Sequence, residues 1–346
     1  MCASLARVVT AGRGCHRTFI ALPFASTPDP SERLAATHGR GAAWGPRRTA
    51  IGHLLLLDPT LSDDARRRAL YAGDILLYSP RPSARALCEF ARGMLEEAFR
   101  PHPPELAQHH LPVAEYVRIA AALKPAFIHH PESKRLVREL LLDFGCDPER
   151  TYFDVPRLRS STSHGYLTTG IAYAFHPHRD TWYSAPTCQI NWWLPIDALA
   201  PDNGLAFHPS YFDRAIANSS RLYDYDEWNR TSRYTAAEQV GVDTRVQPRA
   251  EEELDLSDEL RVVTGAAALQ AFSGAQLHAS VENTSGCTRY SIDFRTVHGD
   301  DAEAGIGARN TDARCTGTAI GDFLRCTDLS HLPAATIERH RAGLGR

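Results

Sequence analysis

The pattern of apolar and polar positions changes near residue 150, and each side of that point predicts a different kind of secondary structure. Before it, a short strand-like apolar run and three stretches with apolar residues at helical spacing lie at 73–80, 84–99, 113–124 and 132–145. Ser83 is placed to cap the first helix, and Gly145 is placed to end the third. The first part of the chain is therefore predicted to be mainly helical.

From Thr151 onward, short β-rich runs alternate with turn-forming residues. The six runs lie at 151–159, 166–175, 187–196, 204–209, 267–274 and 288–297. Within this part, the tripeptide 202–204 predicts a turn in which Gly204 supplies a positive φ. Several strands without amphipathic helices between them favour an antiparallel sandwich or a small barrel. We therefore expect a mainly β fold with flanking helices packed on its outside.

The domain organisation follows from the same patterns. Residues 1–50 lack sustained periodicity and contain many turn formers, which indicates a poorly ordered or peripheral segment. Residues 51–346 are predicted to form one domain, with a helical part at 51–150 and a β core at 151–300. Within the core, residues 210–260 are polar and rich in tyrosine and charge. Because long loops in compact domains are usually lids or disordered, a lid-like insertion is expected there.

Composition and charge argue against several classes of partner. The 38 basic and 41 acidic residues are interspersed and give a net charge of −3, which provides no general surface for nucleic acid or an anionic membrane. No apolar run approaches the roughly 20 residues that span a bilayer. The eight cysteines include no C-x-x-C pair, so reduced thiols in a cytoplasmic protein are expected. We expect a small-molecule substrate, and the oligomeric state is left open.

Candidate chemistry begins with the stretch AFHPHRDTWYS at 174–184. Side chains two positions apart on an extended chain point to the same face, so His178 and Asp180 can bind one ion. A further histidine would complete the two-histidine, one-carboxylate set that holds non-haem Fe(II) and leaves coordination positions open. His176 is the alternative to His178 in this stretch.

The same spacing occurs elsewhere, and chain order separates the cases. His298-Gly299-Asp300 is followed only by histidines in a C-terminal segment with little strand character, and the near variant His130-Pro131-Glu132 lies at a helix-bounded turn. After Asp180, by contrast, an apolar strand leads to His278, and Arg289 begins the next strand. A His-x-Asp pair, a late histidine and a following arginine form an ordered pattern that is more specific than any of its parts.

In these stretches the sequence resembles the phytanoyl-CoA dioxygenase family of Fe(II)/2-oxoglutarate-dependent oxygenases, whose core is a double-stranded β-helix, the jelly-roll or cupin-like fold. The resemblance covers roughly residues 151–297. It is carried by HRD at 178–180, INWWLPI at 190–196, DNGLAFHPSYF at 202–212, FSGAQLHASVENTSG at 272–286 and RYSIDFR at 289–295. It implies that His178, Asp180 and His278 bind Fe(II), and that 2-oxoglutarate and O2 are the cosubstrates.

The resemblance also implies a site for 2-oxoglutarate. Arg289 is expected to pair with its distal carboxylate, because a guanidinium offers a planar, bidentate partner to a buried carboxylate. Ser291 and Arg295 share the strand face of Arg289, so either could assist, and the choice between the two arginines is open. Trp193 matches the cosubstrate-pocket tryptophan of the family, and Trp192 lies on the opposite face.

The implied activity is oxidation of a small molecule, coupled to conversion of 2-oxoglutarate to succinate and CO2. Hydroxylation of an unactivated C–H bond is the expected outcome, and natural-product tailoring is one setting for it. Related iron halogenases have Ala or Gly where this chain has Asp180, so a halogenase is not expected. Two other classes stay open. They are a cupin-type metalloenzyme and a non-catalytic, ligand-binding jelly roll, neither of which uses 2-oxoglutarate.

Overall fold

The computed structural model describes residues 7–10, 18–21, 47–48, 54–171, 176–343 and 345. The helices in these ranges are α1 (Asp63–Tyr71), α2 (Pro82–Phe99), α3 (Val113–His129), α4 (Pro131–Asp143), α5 (Tyr225–Thr231), α6 (Gly299–Ala304) and α7 (Ala334–Arg341). The strands are β1 (Arg7–Thr10), β2 (Thr18–Ala21), β3 (Arg47–Arg48), β4 (Leu54–Leu57), β5 (Ile75–Tyr78), β6 (Thr151–Phe153), β7 (Arg157–Ser161), β8 (Ile190–Pro195), β9 (Leu205–Phe207), β10 (Leu260–Val263), β11 (Leu269–Ser273), β12 (His278–Ser280), β13 (Arg289–His298) and β14 (Leu324–Arg325).

The strands form two sheets that pack face to face. The larger sheet has the order β14-β6-β13-β8-β11-β5-β4-β3, with β7 also paired to β13, and the smaller sheet has the order β1-β2-β10-β9-β12. His178 extends the smaller sheet through an antiparallel bridge to His278. Apolar side chains from both sheets, such as Phe272 and Phe207, share one buried cluster between them.

The strand pairing is nested along the chain. Eight successive segments make up the core: β7, residue 178, β8, β9, β10, β11, β12 and β13. The first pairs with the last, the second with the seventh, the third with the sixth and the fourth with the fifth. This is the pairing of a jelly roll, so the predicted fold class, mainly β with flanking helices around a double-stranded β-helix, is confirmed.

The larger sheet separates the helices from the interior of the jelly roll. Along β8, Ile190, Trp192 and Leu194 pack into the cluster formed with α2, α3 and α4, whereas Trp193 packs into the cluster between the sheets. This alternation follows from the period of two along a strand. It determines which residues of β8 and its neighbours can face a site in the interior.

Three local expectations were wrong. Helix α2 begins at Pro82 without a side-chain cap, and the Ser83 hydroxyl instead donates to Asp143. Residues 166–171 of the predicted strand 166–175 form turns and irregular chain, and 172–175 lie outside the described residues. Gly204 does not have a positive φ, and a tight backbone contact favours glycine there instead. A Cβ there would lie 3.1 Å from the Val262 carbonyl oxygen of β10.

The N-terminal and insertion segments contribute strands at the sheet edges. Within residues 1–50, β1 and β2 extend the smaller sheet and β3 pairs with β4, while the rest of this segment lies outside the described residues. The predicted insertion 210–260 contains α5 and ends where β10 begins. In the described ranges, no helix is long and apolar enough to cross a bilayer, and all six described cysteines are free thiols.

Candidate metal centre

Three side chains with metal-binding atoms meet in the interior, next to the smaller sheet. The rings of His178 and His278 face each other with their centres 4.4 Å apart. Asp180 Oδ1 lies 3.6 Å from His178 Nε2 and 4.0 Å from His278 Nε2. One ligand atom from each residue lies within 4.8 Å of those of the other two. The structure therefore brings together the three residues that the sequence pattern singled out.

The backbone around His178 explains this convergence. His178 and His278 exchange two backbone N–H···O hydrogen bonds of 3.0 Å, which holds the two rings on the same side of the sheet. The chain is extended through Arg179, with φ −112 and ψ 142. At Asp180 it turns into a 3-10 helix that ends at Tyr183, so the expected extended conformation stops one residue before the carboxylate.

Both imidazole rings present a lone pair to the centre. His178 Nδ1 lies 2.8 Å from the His176 carbonyl oxygen, and His278 Nδ1 lies 3.0 Å from the Gln276 carbonyl oxygen. A carbonyl oxygen can only accept a hydrogen bond, so each Nδ1 carries a proton, and in the neutral ring the lone pair is on Nε2. Backbone carbonyls that fix the ring tautomer in this way are typical of metal-binding histidines.

The carboxylate of Asp180 is held by the neighbouring strand. Its Oδ2 accepts hydrogen bonds from Gln189 Nε2 at 2.9 Å and from Asn191 Nδ2 at 2.7 Å, which leaves Oδ1 directed at the histidines. Burial would raise the pKa of Asp180, but the neighbouring His178, His278 and Arg295 hold that pKa well below its usual range. Burial lowers the pKa of His278 to about 4. An anionic carboxylate and two imidazole nitrogens fit a divalent cation such as Fe(II).

The other His-x-acid pairs do not form a comparable group. Asp300 is exposed and pairs with Arg150, and His298 Nδ1 lies 3.9 Å from Asp300 Oδ2. His130 caps α4 by accepting a hydrogen bond of 3.1 Å from the backbone N–H of Glu132. In the described part of the chain, the set around Asp180 is the one place where three such residues come together.

The insertion reaches the metal centre at Pro248. Its carbonyl oxygen accepts hydrogen bonds from His176 Nε2 at 2.9 Å and from the Tyr183 hydroxyl at 3.3 Å. The Tyr183 ring lies edge-on to His178, with centres 5.5 Å apart. His176 is therefore bound to the insertion, with its ring 6.0 Å from that of His178, and it is not part of the three-residue set.

A buried arginine lies in the same interior, further along the sheet. Arg289 Nε donates to the Asn203 carbonyl oxygen at 3.0 Å, and Nη1 donates to Ser291 Oγ at 2.6 Å. Its guanidinium carbon lies 5.3 Å from the centre of the Trp193 ring. Burial lowers the pKa of Arg289 to about 10. Among the described residues, no carboxylate lies within 4.0 Å of this guanidinium.

Arg295, in contrast, is already paired with two carboxylates. Its Nη1 lies 3.1 Å from Asp154 Oδ2, and its Nη2 lies 3.5 Å from Asp293 Oδ2. The backbone N–H of Arg295 also donates to Asp154 Oδ1 at 2.7 Å. Arg157 and Arg159 pair with the same two aspartates, so these five residues form one ion-pair network on β7, β13 and the turn before β7. Of the two arginines, Arg289 is therefore the one without a carboxylate partner among the described residues.

Arg179, between the two expected ligands of the HRD motif, has a role that the sequence did not indicate. Its guanidinium is buried and donates to the carbonyl oxygens of Phe212, Arg214 and Ala275. Its Nε lies 3.3 Å from Asp312 Oδ2. These contacts tie the start of the insertion to the metal centre. The motif supplies no signal for them, because the partners are backbone atoms distant in sequence.

The chain is similar in structure to several solved oxygenases. A structure described as "non-heme monooxygenase; ThoJ apo" has 14% identity and a TM-score of 0.33, and the match covers 62% of this chain and 70% of that one. EvdO2 from Micromonospora carbonacea var. aurantiaca, complexed with 2-oxoglutarate, has 10% identity and a TM-score of 0.40, with coverage of 69% and 92%. SnoK, described as a non-heme alpha ketoglutarate dependent carbocyclase from nogalamycin biosynthesis, has 12% identity and a TM-score of 0.31, with coverage of 50% and 62%.

These likenesses are distant, and the jelly-roll assignment is based on the strand order of this chain. No family model matches the sequence, and no curated protein matches it. The resemblance to the phytanoyl-CoA dioxygenase family therefore stays a prediction.

Proposed function

We propose that this protein is an Fe(II)- and 2-oxoglutarate-dependent oxygenase that hydroxylates an unactivated C–H bond of a small molecule. The observation that carries the proposal is the pairing of two features in one interior. His178, Asp180 and His278 present three donor atoms to a common point, and Arg289 presents a buried guanidinium with no carboxylate partner among the described residues.

The residues divide into a metal end and a carboxylate end. His178, Asp180 and His278 would hold Fe(II) as a two-histidine, one-carboxylate set. Arg289 would pair with the distal carboxylate of 2-oxoglutarate. Arg295 is less suited to this role because Asp154 and Asp293 already neutralise it. When bound, the iron and 2-oxoglutarate supply the oxidising chemistry, with succinate and CO2 as coproducts.

The protein orients the bound groups and keeps bulk water away from them. The ring of Phe272 packs edge-on against His278 with centres 4.9 Å apart, and Phe207 packs against Phe272 at the same distance. On the other side, the insertion contacts the centre through Pro248. The apolar wall and the covering segment would exclude bulk water from the interior of the jelly roll.

Ser291 and Trp193 complete the carboxylate end. The Ser291 hydroxyl accepts from Arg289 Nη1, so its own proton is available for a second acceptor such as a carboxylate oxygen. Trp193 lies against the guanidinium and fixes its plane through a cation–π contact. Both residues therefore orient Arg289 for a bidentate partner.

Release of succinate tests the proposal against its alternatives. Protein with Fe(II), 2-oxoglutarate and O2 should form succinate and consume O2 in equal amounts, slowly without substrate and faster when a true substrate is supplied. His278→Ala is the control, because it removes a metal ligand. A cupin-type enzyme or a ligand-binding jelly roll that does not use 2-oxoglutarate would form no succinate above the His278→Ala background.

A further inference from the structure

Gln270 is buried in the interior of the jelly roll with its amide group unused. The side chain is 0% exposed, and neither Nε2 nor Oε1 has a hydrogen-bond partner in the part of the chain that the structure describes. Buried side-chain amides in native proteins nearly always have hydrogen-bond partners, because burying an unpaired amide loses its hydrogen bonds to water without replacing them. An unpaired amide at this place therefore needs an explanation.

The neighbours of Gln270 place it at the carboxylate end of the proposed site. In the larger sheet, Gln270 lies directly opposite Trp193 on β8 and Leu77 on β5. Directly opposed side chains on antiparallel strands have Cβ atoms about 5 Å apart and share one face. Trp193 and Leu77 both face the space between the sheets, so Gln270 faces it as well.

The order of residues along β8 separates this position from the metal. Gln189 and Asn191 hold the carboxylate of Asp180, and Trp193, two residues further, lies against Arg289. Gln270 is opposite Trp193, whereas Phe272, which contacts His278, is opposite Asn191. Gln270 is therefore level with Trp193, the ring that the guanidinium of Arg289 contacts, and not with the metal centre.

A second buried glutamine shows what a purely structural amide looks like in this fold. Gln108 donates from Nε2 to the Ser163 carbonyl oxygen at 3.1 Å. Its Oε1 accepts from the Ser163 backbone N–H and from the Thr288 hydroxyl, both at 2.8 Å. The contrast between the two residues indicates that the hydrogen-bond partner of the Gln270 amide is a bound ligand and not another protein group among the described residues.

We propose that Gln270 is a third polar contact, beside Arg289 and Ser291, for the distal carboxylate of 2-oxoglutarate. This inference rests on the proposed function. The two oxygens of a carboxylate accept about four hydrogen bonds. Arg289 and Ser291 donate from β13, and Gln270 Nε2 would donate from β11, on the far side of Trp193. The site would then select a dicarboxylate by enclosing its distal end between two strands.

The test compares apo stability with cosubstrate affinity in Gln270→Leu. Without ligands, the variant should melt at the same temperature as the wild type or higher, because it removes a buried group with no protein partner. With Mn(II) in place of Fe(II), calorimetry should show 2-oxoglutarate affinity reduced about tenfold, the effect of losing one hydrogen bond to a charged group. Oxalate, which chelates the metal without reaching Arg289, should bind both proteins equally. Gln270→Met serves as a second variant if the leucine is poorly tolerated.

Gln108→Leu is the matched control, and it should lower the melting temperature while leaving 2-oxoglutarate affinity unchanged. Equal affinity of the wild type and Gln270→Leu for 2-oxoglutarate would overturn the inference and leave the proposed function intact. An equal loss of oxalate binding would also overturn it, because the effect would then be on the metal end or on the fold. A wild-type protein that binds no 2-oxoglutarate would overturn both proposals.

Discussion

The guanidinium carbon of Arg289 lies 5.3 Å from the centre of the Trp193 ring, and no carboxylate among the described residues pairs with it. Burying a charge in this way is costly unless it gains a partner, and a bound dicarboxylate would provide one. The cation–π contact holds the guanidinium in place before that partner arrives. The contact between Trp193 and Arg289 therefore positions the guanidinium that we propose binds the distal carboxylate of 2-oxoglutarate.

The first prediction concerns the choice between the two arginines of β13. Arg289→Leu should lower the affinity for 2-oxoglutarate by orders of magnitude, because leaving a buried charge unpaired costs roughly 3–5 kcal/mol. Mn(II) affinity should change little. Arg295→Leu should lower the melting temperature, since it leaves Asp154 and Asp293 short of a partner, but it should retain most of the affinity. Calorimetry on the two variants decides the matter, and the reverse ranking would transfer the role to Arg295.

The second prediction concerns residues 210–260 as a lid. Pro248 in this segment contacts His176 and Tyr183 beside the metal centre, so opening the segment would expose the site. Limited proteolysis should cut within it in the free protein, and metal, 2-oxoglutarate and substrate together should slow the cleavage. Cleavage at one rate under all conditions would indicate a surface insertion with no gating role.

The third prediction concerns Asp180 and the type of product. Its carboxylate would occupy the coordination position that a halide would need, so the wild-type protein should form oxygenated or otherwise oxidised products even in excess chloride. Asp180→Gly should lose the native activity, because two neutral imidazoles hold Fe(II) more weakly. Mass spectrometry of products formed in chloride or bromide provides the test. A halogenated product from the wild type would show that Asp180 is not a ligand and would reopen the case for His298 and Asp300.

The fourth prediction concerns the pH dependence of stability at Lys124. This lysine lies on α3, and its Nζ donates to the Ile171 carbonyl oxygen. Burial, with the nearby charge of Arg159, lowers the pKa of Lys124 to about 7. Below pH 7 the lysine is charged in both the folded and unfolded states, and its burial destabilises the protein. Between pH 7 and its usual pKa, the unfolded state binds more protons, so this cost falls as the pH rises.

Lys124→Met should therefore raise the melting temperature more at pH 6 than at pH 9.5. Lys134 is the other lysine in the chain, and Lys134→Met provides the control. A difference between wild type and Lys124→Met that is the same at both pH values would show that this lysine titrates normally in the folded protein.

The alternation of side chains on single strands was readable from the sequence. The period of two along β8 correctly put Trp193 on one face and Trp192 on the other, and the order of His178, Asp180 and His278 anticipated their convergence. The runs of short strands predicted an antiparallel sandwich or small barrel, and the family resemblance implied the jelly roll. These features depend on local pattern and on chain order, both of which a sequence carries.

Contacts between distant segments could not be read in the same way. Arg289 and Arg295 share one face of β13, and the feature that distinguishes them is Asp154, more than a hundred residues earlier. The unpaired amide of Gln270 could not be predicted either. Strand alternation places the side chain in the interior but does not indicate whether a hydrogen-bond partner lies beside it. The false strand at 166–171 has β-forming residues but no neighbouring strand to pair with among those described.

The most direct test of the account is the absorption spectrum of the protein with Fe(II) and 2-oxoglutarate under anaerobic conditions. Chelation of the iron by the keto acid should produce a weak visible charge-transfer band in the wild type. The band should be absent in His278→Ala, which loses one of the three converging donors. A wild-type protein that develops no band, and that binds no 2-oxoglutarate in calorimetry, would contradict the assignment of this jelly roll as a 2-oxoglutarate-dependent iron enzyme.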